Sequence, residues 1–80
     1  MENQEEFTRF WTAAQPKLTG YIDALMTCFQ EAESLLQNVA VNLQRKLSKY
    51  DAQRPFIAWA IGNARRQVML ARRRYARSLP

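Results

Sequence analysis

The residues of this 80-residue chain with the clearest chemical potential are arginines. Seven of its twelve basic residues (Arg54, Arg65, Arg66, Arg72, Arg73, Arg74 and Arg77) fall between Arg54 and Pro80, and no acid is interleaved among them. At about 100° per residue around a helix, Trp59, Asn63, Arg66, Leu70, Arg73 and Arg77 share one stripe, with Arg65, Met69 and Arg72 beside it. An aromatic ring, an amide and a ladder of guanidiniums suit a nucleic-acid strand with unpaired bases, because rings stack on bases while Arg pairs with phosphate. The alternative is that Trp59 closes the edge of a core and the arginines are a solvated face. Solvated helices usually interleave acids to form i,i+4 pairs, so their absence here favours the binding surface.

Catalytic chemistry has little to work with. There is no histidine and one cysteine, Cys28, so neither the usual zinc sites nor a histidine-based triad can be assembled. Gly20 and Gly62 are too far apart to form a glycine-rich phosphate loop. Glu31 and Glu33 sit two positions apart and would point to different sides of a helix. The expectation is a protein that is not an enzyme and uses no cofactor and no metal.

Eighty residues make one domain, and 48% apolar content with two glycines and three prolines suits a compact helical one. The net charge of +5 points to an anionic partner. Residues 1–53 hold seven acids against five bases, whereas residues 54–80 hold seven bases and no acid, which suggests two separate contact surfaces. No apolar run approaches a membrane span, the start "MENQEEF" is acidic where a signal peptide is basic, and Cys28 has no internal disulfide partner. Together these predict a cytoplasmic chain, with Cys28 as a small core residue.

The elements that must carry the arginines read as an all-α, compact bundle of about four helices. The first is short, with Phe7, Phe10, Trp11 and Ala14 at helical spacing, and is separated from the second at Pro16. The second turns Leu18, Tyr21, Ile22, Leu25 and Phe29 inward. The third runs from about Glu31 to Leu47, with Ala32, Leu35, Leu36, Val39, Ala40, Leu43 and Leu47 inward and Glu33, Gln37, Val41, Gln44 and Ser48 outward. Val41, set among glutamines, is either a contact for another protein's helix or an isolated surface valine. The fourth helix begins at Pro55, whose missing N–H suits a first turn. It turns Phe56, Ile57, Ala60, Ile61, Ala64, Val68, Ala71 and Tyr75 inward. Between them "SKYDAQR" is a polar link whose Tyr50 either holds a flipped-out base or caps the core. The closing "SLP" has the composition of a linker.

These last two helices resemble the second conserved region of extracytoplasmic-function sigma factors, the subunits that give bacterial RNA polymerase its promoter specificity. The likeness is carried first by Glu31, Ala32, Glu33, Leu35, Leu36, Gln37, Tyr50 and Asp51. A second block carries it through Pro55, Phe56, Trp59, Ala64, Arg65, Arg72, Arg73 and Arg74, and together with the Phe, Pro, Leu and Tyr spacing of the first part the likeness covers about residues 7–77. Ser34 and Asn38 stand where the family is usually acidic, Asn63 where an aliphatic is common and Arg66 where Asn is typical.

The resemblance implies a transcription-initiation module. Its third helix would dock on the coiled coil of the polymerase's largest subunit through Glu33, Gln37, Asn38 and Val41. The loop and fourth helix would bind the melted, single-stranded minus-ten promoter DNA through Lys49, Arg54, Trp59, Asn63, Arg65, Arg66 and Arg73. It further implies an N-terminal fragment of a longer factor, lacking the region 4 helix-turn-helix domain, and an anti-sigma factor as a further partner. Two other readings compete: a helical protein-interaction module without direct DNA recognition, and a basic amphipathic helix lying on anionic lipid, which would need the apolar arc of the fourth helix to be free.

Overall fold

The computed structural model describes residues 2–78 and holds three α-helices: α1 (Glu2–Leu25), α2 (Phe29–Arg45) and α3 (Phe56–Ser78). A single 3-10 turn, Leu47–Lys49, follows α2. Leu79 and Pro80, expected to begin a linker, lie outside the described residues.

The expected fourth helix does not exist, because the chain passes through Pro16 without a break. Phe7, Ala14, Leu18 and Ile22, separated by seven, four and four residues, form one buried stripe across the proline. Pro16 has no N–H to offer the Thr12 carbonyl, but both residues are exposed, so water can take the orphaned acceptor. A proline inside a helix costs about 3 kcal/mol, and fully burying Leu18 and Ile22 returns about 1.5–3 kcal/mol each. The polar start is also helical, and the Thr8 hydroxyl donates to the Gln4 carbonyl at 2.9 Å.

Each helix contributes four residues to the core: Phe7, Ala14, Leu18 and Ile22 from α1, Ala32, Leu35, Val39 and Leu43 from α2, and Phe56, Ala60, Ala64 and Val68 from α3. Ala60 and Ala64 are completely buried, so α3 meets the other two helices through side chains that allow close approach. No polar or charged residue is buried among the described residues. Every described charge therefore lies at the surface of a bundle 47 Å long and 21 Å across.

Three expected core residues lie outside it. Phe29 is 71% exposed, because α1 stops at Leu25 and the chain turns before the next inward position arrives. Cys28 is exposed in that turn, where it precedes the first residue of α2 in an extended conformation. Tyr75 is 63% exposed, being three residues past the point where α3 meets the last residue of α1.

Candidate nucleic-acid and polymerase interface

The link from α2 to α3 is short and heavily hydrogen-bonded. The Lys49 and Tyr50 N–H groups donate to the Lys46 and Leu47 carbonyls at 2.9 and 3.0 Å. Asp51 then builds a turn: its carboxylate accepts from the Gln53 N–H at 3.0 Å and its carbonyl from the Arg54 N–H at 2.9 Å. The Tyr50 hydroxyl donates to the Arg54 carbonyl and ties the two ends of the turn together. Pro55 sits immediately before α3, and its carbonyl accepts the Trp59 N–H at 3.4 Å. Lys49 and Arg54 are thus exposed cations on a fixed loop rather than on a loose one.

Beneath the loop is an aromatic cluster centred on Phe56. Its ring stacks on Phe10 at 5.3 Å and meets Phe7, Tyr50 and Trp59 edge-on at 6.2, 5.7 and 5.7 Å. Trp59 is half-buried, with Tyr50 stacked on it at 4.7 Å. The two sequence readings of Trp59 and Tyr50 therefore merge: both rings close the end of the core, and one face of the indole is already covered. Beside the cluster a hollow of about 290 Å³ is lined by Glu6, Arg9 and Phe10 of α1 and by Leu47, Ser48 and Tyr50 of the link. Sequence reasoning missed the α1 side of this hollow. Its residues lie some forty positions from the loop, and only the fold brings them together.

One helical turn beyond Trp59, Asn63 is half-buried, and its side-chain carbonyl Oδ1 is buried without a hydrogen-bond partner. Such an acceptor stays unsatisfied at a cost of about 1–3 kcal/mol unless a donor reaches it. Below it the arginines divide. Arg72 turns toward α1 and donates to the Leu25 carbonyl at 3.1 Å. Arg65 and Arg66 are exposed. Arg73 and Arg77 face a groove shared with α2, together with Arg45 and Arg74.

Glu33, Gln37, Asn38 and Val41 are all exposed on α2, and their spacing of four, one and three residues keeps them on one flank of the helix. Glu33 borders a hollow between α1 and α2 with Asp23 and Phe29. Asn38 and Val41 border the α2–α3 groove, on the same rim as Arg73 and Arg77. Asn38 and Val41, expected on one contact surface, and Arg73, expected on the other, thus line the same groove. The apolar arc of α3 is spent on the core, with Phe56 at 8% and Val68 at 2% exposure, which removes the lipid-surface reading. Among the described residues no helix is long and apolar enough to cross a membrane.

No match was found among curated proteins or among solved structures. The family model for sigma-70 region 2 matches residues 10–78, which takes in most of α1, the link, α2 and α3. With nearly the whole bundle inside that match, the chain belongs to the sigma-70 region 2 family and is a promoter-recognition module of transcription initiation, a class that works with RNA polymerase and promoter DNA and is not a known enzyme family.

Proposed function

We propose that this domain is the region 2 module of an extracytoplasmic-function sigma factor acting in the cytoplasm. In this reading α2 docks on the coiled coil of the polymerase's largest subunit through Glu33, Gln37, Asn38 and Val41. The link and α3 hold the non-template strand of the melted minus-ten element. Lys49, Arg54, Arg65, Arg66 and Arg73 supply cations to its phosphates. Asn63, half-buried one turn beyond Trp59, adds a side-chain amide to the same surface.

One observation carries the reading. The fixed, cationic link stands over a hollow walled by Phe10 and Tyr50, with Ser48, Arg9 and Glu6 as its polar lining. At about 290 Å³ it can admit a nucleobase turned out of its stack, with a ring edge on either side and donors and acceptors for the base's Watson–Crick edge. Trp59, with one face against Tyr50, supports that wall rather than acting as a free platform.

The test is binding of a short non-template oligonucleotide, compared with the same sequence as duplex, across a salt series. The single strand should bind tighter, and its affinity should fall as salt rises. Equal affinity for the two forms would remove the strand assignment. An anti-sigma partner follows from the same family reading and is tested by co-purification with the intact factor.

A further inference from the structure

The hollow under the link has walls of two origins. Phe10, Leu47, Ser48 and Tyr50 fall inside the stretch that the family model matches, residues 10–78, whereas the two charged side chains of the hollow, Glu6 and Arg9, come from α1 ahead of that stretch. The family likeness therefore does not account for the charges. Their spacing of three residues puts both on one face of α1. Neither side chain is engaged in a hydrogen bond or ion pair among the described residues.

A carboxylate is out of place in a site for a polyanion. Glu6 repels the phosphates that Lys49 and Arg54 attract, so it weakens the backbone contacts of any strand that passes the link. What it can gain lies on the base edges alone, because an ionised carboxyl accepts hydrogen bonds and donates none. The exocyclic amines of cytosine, adenine and guanine are donors that it can meet. Thymine carries the O4 carbonyl where cytosine has its amine, and that oxygen is a second acceptor. Arg9 offers the opposite set, donors alone, and suits the ring nitrogen or carbonyl beside such an amine. The Ser48 hydroxyl can serve in either sense.

We propose that Glu6 makes this hollow selective for a base with an exocyclic amine, with Arg9 meeting an acceptor on the same edge, so that thymine is rejected at one position of the strand. This selectivity rests on the strand function proposed above and narrows the base from any of the four to the three that carry an amine. Rejection is the larger part of the effect. Thymine O4 set against the carboxylate leaves two acceptors unpaired, which costs more than a contact that is merely absent.

The test uses the 80-residue chain and short single strands identical except at the position where an abasic site weakens binding most. Cytosine and uracil have one shape, and the amine of the first is a carbonyl in the second, so their ratio reads the contact to Glu6. Cytosine should bind about tenfold tighter than uracil, and thymine should rank last of the natural bases. Glu6→Gln should bring cytosine and uracil within about twofold of each other, because an amide can turn its NH₂ toward O4. That variant also loses a negative charge and should tighten every strand alike. Glu5→Gln is the control for charge, since Glu5 is exposed but does not line the hollow: it should tighten the strands and keep the tenfold ratio. Circular dichroism confirms that both variants keep their helices. Uracil binding as well as cytosine, or a ratio that Glu6→Gln leaves unchanged, would overturn the proposal while the strand reading stands. Equal affinity for single strand and duplex would remove the strand reading, and this selectivity with it.

Discussion

The rings of Tyr50 and Trp59 lie face to face, 4.7 Å apart and 23° from parallel, and this stack joins the inter-helix link to the first turn of α3. The Tyr50 hydroxyl adds a second attachment at the Arg54 carbonyl. One residue thereby holds both the aromatic end of the core and the backbone that carries Lys49 and Arg54. Fixing those cations before a ligand arrives reduces the ordering cost that a mobile loop would incur on binding.

Truncating that ring should loosen the link without unfolding the bundle. In a Trp11→Phe background, which leaves Trp59 as the sole indole, Tyr50→Ala should shift tryptophan emission to the red and cost about 2 kcal/mol in urea unfolding. Tyr50→Phe keeps the stack and loses only the hydrogen bond, so it should cost about 1 kcal/mol or less with emission unchanged. An unshifted spectrum for Tyr50→Ala would show that the indole is covered by something else.

Pro16 offers a stabilising substitution. It is exposed within a continuous helix, and alanine there restores an N–H to the Thr12 carbonyl. Pro16→Ala should therefore raise stability by about 1–3 kcal/mol, seen as a higher urea midpoint with the same slope. A loss of stability would mean that the helix needs a bend at this position.

Much of this architecture is legible in the sequence, and the exceptions share a cause. Helical periodicity places Ala32, Leu35, Leu36, Val39, Ala40 and Leu43 inward, and all six are buried or half-buried. Periodicity describes a helix in isolation, however, and does not say where its neighbours end. Phe29 and Tyr75 continue the right pattern past the points at which α1 stops and α3 outruns it. Pro16 misleads in the opposite sense, since the local cost of a proline is visible in the chain while the buried stripe that offsets it is a tertiary property. For the candidate site, the arginines and the loop cations are readable from composition. The α1 wall of the hollow, and the placing of Val41 and Leu70 along one groove, arise from long-range packing that no local spacing encodes.

The arginines of α3 should not be equivalent. Helix α1 has no basic residue in its last turn, and Arg72 supplies the missing cation from α3 by donating to the Leu25 carbonyl at 3.1 Å. Arg72→Gln should lower unfolding stability by about 1 kcal/mol. Arg66→Gln, an exposed position with no such bond, should leave stability within about 0.5 kcal/mol of the parent. On a single-stranded oligonucleotide the order reverses: Arg66→Gln should reduce the slope of log K against log salt by about 0.7, and Arg72→Gln by less. Identical slopes and stabilities for the two variants would show that the Arg72 bond to α1 is immaterial.

The hollow under the link predicts base selectivity of a kind that charge alone cannot produce. Phosphate contacts fix position and are indifferent to sequence, whereas a base turned into a pocket is read on its edges. Scanning an abasic site along the bound oligonucleotide should therefore reveal one position at which removing the base weakens binding by about 1–3 kcal/mol, the worth of one base–aromatic contact. Phe10→Leu keeps an apolar side chain on α1 but removes the ring that meets Tyr50 edge-on at 6.1 Å. In that variant the penalty at the selected position should shrink while the salt slope stays the same, because no cation has been lost. A uniform abasic penalty along the strand would mean that the module holds the backbone alone, and that the hollow beside Ser48 has no part in recognition.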